Sequence, residues 1–471
     1  MLARPLAFLA IFIASGCMVG PDYRPAAPIV DPEFSDVVHD NTSLIDVSGP
    51  IEIAWWTSFN DPKLVQLIET AAESNTDIRL AIYRIEEARA NRAIARARAQ
   101  PVVFGSSGAS RIRSSETAGG FGSPAGAPSE QNLFDLSLNV NWELDLFGRL
   151  GRRENAAEAR LEASKQDRRA VMVATFAEVG VAYAELRGLQ DQFDIATRNI
   201  ELVSRTVELT LLLAEQGLAP EFDVIRARAD LKELVARREA LLAGQRAAVS
   251  RIALLTGQQP ADQMAELLAP GPQLQPAARI PVGLPSSLLR RRPDIQAAER
   301  RLAAASEQIG AEMADLLPSF SLTGAAGFST ANIDDLFDAE SQSGSVGVTG
   351  QVPLFDGGAR RAEIDIARSR YGAAGAEYDA AVLTALTELE SALASYVYIA
   401  KELDGLVAAR ADRERAYELA LLRYRSNTDS LFPALDAGLR LTSLNADIAS
   451  RQQDLLIAQI TVYRALGGGW K

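Results

Sequence analysis

"LFDLSLNVNWELDLF" occupies residues 133–147 and alternates without a break. Phe134, Leu136, Leu138, Val140, Trp142, Leu144 and Leu146 fall on one side of an extended chain. Asp135, Ser137, Asn139, Asn141, Glu143 and Asp145 fall on the other. A period of two marks a β-strand with one apolar and one polar face. Three other stretches share it. "SFSLTGAAGFS" aligns Phe320, Leu322 and Phe328, and "SVGVTGQVPLF" aligns Val346, Val348, Val352 and Leu354. "PVVFGSSGASRIR" is the fourth and weakest. Strands are therefore expected at about 101–113, 132–147, 318–329 and 344–355, with long polar Gly/Ser-rich loops near 114–131 and 329–344.

Such alternation fits a half-buried soluble sheet and an outer-membrane barrel, whose long loops gather at one end. Four strands cannot close a barrel alone, because a small closed barrel needs about eight. Hydrocarbon also leaves an open sheet edge without hydrogen-bond partners. In a membrane these strands demand several chains. No segment reaches 18 consecutive apolar residues, so any membrane crossing must use strands.

Both strand pairs run into long helices through "FGRLG" and "FDGGA", where glycine permits a tight exit. Residues 148–216 have no helix stop and would make about 100 Å of helix. Their apolar seam, Val179, Ala182, Leu186, Leu189, Phe193, Ala196, Ile200, Val203 and Val207, steps by three and four as in a coiled coil. Residues 357–426 repeat the design through Leu389, Ala392, Tyr396, Ile399, Leu403 and Leu406. Arg410 and Arg413 then interrupt this seam before Tyr417, Ala420 and Tyr424. They face either neighbouring carboxylates or the bore of a tube.

The chain is written twice. "NTDIRLAIYRIEEARANRAIARARAQP" parallels "RPDIQAAERRLAAASEQIGAEMADLLP", and "LDLFGRLGRR" parallels "VPLFDGGARR". At an offset of 210, Gly217 falls on Asn427, Phe222 on Phe432 and Ala227 on Ala437. Residues 62–257 and 286–468 form two repeats of helix, strands, long helix, turn and helix. Residues 258–285, rich in Pro and Gln, make a linker or irregular side domain.

Bulk composition narrows function. A 471-residue chain with 48% hydrophobic content can bury a large core. A net charge of −13 argues against nucleic acid as a partner. One cysteine, Cys17, and one histidine, His39, exclude internal disulfides and the usual Cys/His zinc sites. His39 sits in the polar "DVVHDNTS" with no companion motif and reads as a solvated loop residue. Gly467–Gly469 lack the strand–turn–helix setting of a phosphate loop. No catalytic set converges, and no cofactor or metal is implied.

The N-terminus carries Arg4, an apolar run at residues 6–13, and then Ala14, Ser15, Gly16 and Cys17. The run suits a signal peptide and is too short to span a bilayer. Its end looks like a bacterial lipobox. Residues 1–16 would be removed, and Cys17 would carry covalent diacylglycerol and palmitate. The alternative is an ordinary signal peptide with a chance cysteine. The following "PDYRPAAPIVDPEF" is Pro-rich and reads as extended backbone.

Taken together, "CMVGPDYRPAAP", "WWTSFNDPKL" at residues 55–64, the doubled strand exits and the doubled helix tips resemble TolC-like outer-membrane efflux channels. The match is to the NodT-type lipoprotein subgroup of tripartite, RND-type efflux systems, and it covers essentially the whole chain. The resemblance implies an α+β membrane protein, a homotrimer. Four strands per chain would build a 12-stranded β-barrel, continuous with a coiled-coil α-helical barrel in the periplasm. Residues 17–61 and 258–285 would form an equatorial belt. The implied partners are outer-membrane lipid, a periplasmic adaptor and an inner-membrane pump of a Gram-negative bacterium. The implied function is a passive exit duct for small molecules such as drugs. Type I protein secretion and metal-ion export share the fold, and the few Met and His side chains disfavour metal. A soluble coiled-coil scaffold would explain the helices but not the strands or Cys17.

The resemblance also nominates residues. A gate segment "L-x-x-x-D" in the last helix maps onto Phe432 and Asp436, with Phe where Leu is commoner. The usual basic position is occupied by Leu439, and Arg440 comes one place late. Three Asp436 carboxylates brought together would repel, so Arg226 or Arg440 is the expected cationic partner. Adaptor docking maps onto Gly217, Leu218 and Ala219, and onto Asn427, Thr428 and Asp429. The same residues would serve equally as helix caps. Arg152, Arg153, Arg360 and Arg361, just past the strand exits, are placed at lipid phosphates or on solvated helix surface. Carboxylates on the polar strand face would give the lumen a mild preference for cations.

Overall fold

The structure is a computed structural model. It describes residues 18–25, 43–46, 53–113, 130–217, 219–277, 279–283, 291–426, 428–430 and 432–470. Cys17, His39, Leu218 and Asn427 lie outside the described residues. In chain order the elements are β1 (Ile45–Asp46), α1 (Pro62–Ser74), α2 (Thr76–Ala97), β2 (Val102–Arg113), β3 (Glu130–Leu144), α3 (Arg149–Glu215), α4 (Glu221–Leu255) and α5 (Pro260–Leu267). They continue as β4 (Ile280–Pro281), α6 (Pro293–Ala314), β5 (Ser319–Thr330), β6 (Gln342–Gln351), α7 (Ala359–Arg425) and α8 (Phe432–Ala465). The chain divides into two compact units, and α2, α3, α6 and α7 contribute residues to both.

The first unit holds an antiparallel sheet in the order β2-β3-β5-β6. Its register shows which side chains share a face. Leu138 stands opposite Gly105 and Ala326; Trp142 stands opposite Leu322, which faces Val348. That face also carries Phe134, Leu136, Val140, Phe320, Phe328 and Val346, and among the described residues no other sheet packs across it, the Phe337 ring meeting it only at Phe328. Val346 is 83% exposed and Leu138 60%. The opposite face pairs Ser106 with Ser137, Asn141 with Thr323, and Ser321 with Thr349. Ser106, Ser137 and Asn139 are hydrogen-bonded to one another at 2.9–3.1 Å. Val102, Phe104, Ile112 and Leu133 interrupt this polar face. Three of them lie on β2, the strand whose alternation is weakest. Trp142 donates its indole N–H to the Ala99 carbonyl at 3.0 Å, at the apolar face's helix-proximal end.

The strands stop sooner than their alternation predicts, at Leu144 and Gln351 rather than 147 and 355. The reason is helix capping. Asp145 accepts the amides of Leu150 and Gly151 at 3.1 and 2.7 Å, so it turns out of the sheet to start α3. In the second copy Pro353 cannot donate to a ladder. Asp356 there takes the amides of Gly358 and Arg360. Gly148, Gly357 and Gly358 carry φ of 78°, 66° and 90°, a conformation that disfavours side chains.

The second unit contains most of the helical seam. α3 and α7 each run 67 residues, about 100 Å of helix. Val179, Ala182, Leu186, Leu389 and Tyr396 are buried. α3 packs on α4 where Gln245 donates to the Leu189 carbonyl, and on α8 where Gln192 donates to Gln453. α8 reaches α7 through Arg451 and Glu402. Arg410 pairs with Glu414 on its own helix, and both remain exposed. Among the described residues no helix is long and apolar enough to cross a membrane.

The densest core gathers short segments from distant parts of the chain. "WWTSFNDPKL" forms a 3-10 turn over Trp55–Phe59, then Asn60 at φ 52°, then Asp61 as cap of α1 with Pro62 in its first turn. Trp55 is fully buried, stacked on Tyr463 with ring centroids 5.7 Å apart. Asp61 also accepts the Tyr183 hydroxyl at 3.0 Å, and that hydroxyl accepts two N–H bonds from Arg187. The linker joins the same network. Arg187 donates to Ala269, Gln273 donates to the Arg187 carbonyl, and Gln459 accepts the Ala277 amide. β1 pairs in parallel with β4, so residues 45–46 are held against the linker.

Tyr183→Phe removes a hydroxyl shared by two buried charged groups and should cost about 1–3 kcal/mol. Burial pushes the Tyr183 phenol up to about 12 from 10.0, against the opposing pull of Arg187. A raised phenol favours the folded state fully below its ordinary value and loses that contribution as pH rises through the folded one. Thermal melts by circular dichroism should show the parent losing stability between pH 10 and 12. The Tyr183→Phe protein should start lower and lose less over that window; an identical pH slope in both would contradict this role for Tyr183.

Candidate functional site

The two helix–turn–helix tips belong to the second unit. At the first, Gly217 donates its amide to Ala214 at 2.9 Å and closes the last turn of α3. Its φ is 71°, and a Cβ there would meet no atom within 4 Å. Glycine is therefore required by backbone conformation and not by crowding. Ala219 is half-buried. Asp223 donates its amide to the Pro220 carbonyl as α4 begins, and Glu221 and Asp223 place negative charge at that helix's positive end.

At the second tip, Thr428 donates both its amide and its hydroxyl to the Arg423 carbonyl, at 3.0 and 2.8 Å. Asp429 accepts the Ser430 amide and pairs with Arg423 at 3.3 Å. Gly217 and Thr428 thus close the ends of α3 and α7, while Asp429 engages only the neighbouring Ser430 amide and Arg423. What composition did not single out is the apolar surface beside these caps. Leu212, Phe222, Ile225, Leu422 and Phe432 are all exposed, Phe222 by 68%. Five large apolar side chains at two adjoining turns make a surface suited to protein contact.

The four nominated gate residues divide into two pairs. Asp436 accepts a hydrogen bond from Arg440 at 2.7 Å, one turn along α8. That bond holds the Arg440 guanidinium above its ordinary value. Arg226 instead lies over the Phe432 ring, 4.8 Å from its centroid. An exposed i,i+4 ion pair contributes little, whereas a cation over an exposed ring is worth about 0.5–1 kcal/mol. The second contact ties α4 to α8 across the two tips. Ala434 is buried beside it, and the Tyr417 ring would lie 3.2 Å from a Cβ on Gly438, so α7 and α8 approach closely.

Of the arginines past the strand exits, Arg361 lies on exposed helix surface, one of the two expected placements, whereas Arg152, Arg153 and Arg360 are engaged by the protein. Arg152 has a side chain 3% exposed and bonds to Asp22 and Glu307, so it faces neither lipid phosphate nor water. Arg153 pairs with Asp315 at 2.7 Å, Arg360 donates to the Asp315 carbonyl, and Arg361 is exposed. The acidic lumen is also weaker than the strand carboxylates suggest. Glu143 is neutralised by Arg149 at 2.5 Å, and Asp145 is engaged as a helix cap. Burial alone would lower the Arg149 guanidinium, but Glu143 and Asp315 hold it above its ordinary value. The roles of Asp145 and Asp356 were open to the rule that Asp precedes helices. The partners of Arg152 were not, because they lie 130 and 155 positions away.

Comparison with known proteins agrees with this geometry. Residues 67–258 and 284–468 match the family described as outer membrane efflux protein. The chain is 33% identical to outer membrane protein OprJ of Pseudomonas aeruginosa, over 98% of this chain and 95% of that one. It is 32% identical to the toluene efflux pump outer membrane protein TtgF of Pseudomonas putida, over 98% and 96%. Among solved structures, the outer-membrane channel OprN superposes with a TM-score of 0.88 at 35% identity, covering 96% of this chain and 100% of that one. An alternating sheet without a closed edge, two heptad-repeating helices and these matches lead to one assignment: the chain belongs to the outer membrane efflux protein family.

Proposed function

We propose that three copies of this chain form the outer-membrane exit duct of a tripartite efflux pump. The duct conducts small molecules passively from an inner-membrane pump and a periplasmic adaptor to the exterior. One observation carries this reading. Among the described residues the sheet has a largely exposed apolar face, an opposite face rich in hydroxyls and amides, and two edges without a partner strand, β2 and β6. In a bilayer such a sheet must close by pairing β6 of one copy with β2 of the next, and three copies supply 12 strands. A lumen lined by Ser, Thr and Asn, with Glu143 neutralised, admits uncharged compounds without strong charge selection. The relative named for toluene efflux supports small apolar cargo.

The tips divide the remaining work. Phe432 and Asp436, braced by Arg226 and Arg440, constrict the periplasmic end. The exposed apolar side chains around Gly217–Ala219 and Asn427–Asp429 receive the adaptor. Cys17 carries diacylglycerol and palmitate and anchors each copy in the outer membrane.

Three measurements bear on these assignments. In planar bilayers, Phe432→Ala and Asp436→Ala should each raise single-channel conductance; unchanged conductance in both removes the gate from α8. A photo-crosslinking residue at Ala219 or Thr428 should capture the adaptor in cells, and silence at both positions would exclude docking at the tips. Radiolabelled palmitate should enter the parent and be lost in Cys17→Ser, whereas equal labelling would place the acyl chain elsewhere.

A further inference from the structure

The residues that follow Cys17 do not hang free. The Val19 amide donates to the Phe147 carbonyl at 3.2 Å, beside the exit from β3. Arg152 then grips the same segment. Its Nε donates to the Val19 carbonyl at 3.2 Å, and its Nη2 donates to Gly20 and to Asp22 at 3.3 and 2.9 Å. Its Nη1 donates to Glu307 of α6 at 3.0 Å. A guanidinium has five N–H donors. The segment takes three of these bonds, and the side chain is only 3% exposed. Without the segment, most of a buried cation's donors would have no partner, which is costly.

The fit is steric as well as polar. A Cβ on Gly20 would stand 2.5 Å from the Gly310 Cα, and Gly20 has φ 98°. A Cβ on Gly310 would stand 2.9 Å from the Val19 carbonyl oxygen. A Cβ on Gly148 would fall 2.7 Å from Met18. Farther along the same segment Tyr23 donates its hydroxyl to Glu299 at 3.0 Å, again on α6. Backbone, charge and the absence of side chains all match one short peptide.

We propose that Arg152, Glu307 and Gly310 form a docking socket for residues 18–23, which fixes Met18 at the strand-to-helix junction and so sets, relative to the strands, the depth of an acyl anchor carried on the preceding residue. The part concerning depth rests on the acylation of Cys17; the socket does not. An anchor on a loose tether would only keep the protein near the membrane. An anchor one residue from Met18, itself packed on Gly148, is registered to the strand ends that meet the periplasmic leaflet.

The test is a nitroxide at Pro21→Cys in the full-length, membrane-expressed protein, read by continuous-wave electron paramagnetic resonance after reconstitution in liposomes. Pro21 is exposed and makes none of the socket's bonds. The expected spectrum is that of an immobilised label. Arg152→Ala should convert it to a mobile, nanosecond-scale spectrum. Gly20→Val should do the same while leaving Arg152 and Glu307 paired, which guards against misfolding of the arginine variant. A mobile label in the parent, or an immobile one in both variants, would overturn the socket. Label stoichiometry reads the anchor separately, because Cys17 is the only native cysteine. One label per chain, with an intact mass that includes residue 17 and its acyl groups, means a blocked Cys17; one label with a mass lacking residue 17 would overturn the anchor-depth assignment. Two labels with an immobilised spectrum would overturn the anchor-depth assignment and leave the socket standing.

Discussion

A β-strand in hydrocarbon has no solvent for its backbone. Each unpaired N–H or C=O there costs several kcal/mol, and this chain presents two such edges, the 12-residue β2 and the 10-residue β6. Nothing within the described residues covers either. Pairing one edge with the unlike edge of a neighbour is a head-to-tail contact, which closes into a ring when the rotation permits. In the proposed trimer, copy number, barrel closure and the position of the lumen all follow from those two edges. The helices that leave β3 and β6 within a few residues inherit the same arrangement.

A tube wall needs side-by-side adhesion without a central core. The heptad seam supplies it: a narrow stripe on each helix, with Ala182 and Ala392 among its buried members. Gly188, Gly244 and Gly438 sit where a neighbouring helix leaves little room for a side chain. Among the described residues the thick core forms where Trp55, α1, the linker and the C-terminal end of α8 converge. Asp61, Tyr183 and Arg187 join α1, α3 and the linker by charge-assisted bonds among buried side chains.

Duplication made the sequence look symmetric, and the structure breaks that symmetry. Arg152 and Arg360 hold equivalent places after their strand exits. One is enclosed by the N-terminal segment and Glu307; the other bonds to Asp315 and Asp356 near the surface. The difference arises because residues 18–23 exist once in the chain, so only one of the two junctions has a peptide to receive. Gly217 and Thr428 likewise close their helices by different means, a left-handed glycine and a side-chain hydroxyl.

Local periodicity was therefore enough to read the strands, their two faces, the length of α3 and α7, and the need for more than one chain. Period two and period 3.5 survive in any environment, because they arise from where Cβ atoms point along a backbone. Glycine at the strand exits was legible for the same reason. The early strand ends at Leu144 and Gln351 were hidden, since alternation continues past the point where Asp145 and Pro353 commit the chain to a helix. That Arg226 meets Phe432, where Arg152 points and which apolar residues stay bare at the tips were decided only by tertiary packing. Those outcomes depend on groups far apart in sequence, whose meeting is governed by burial and by competition for a limited number of donors.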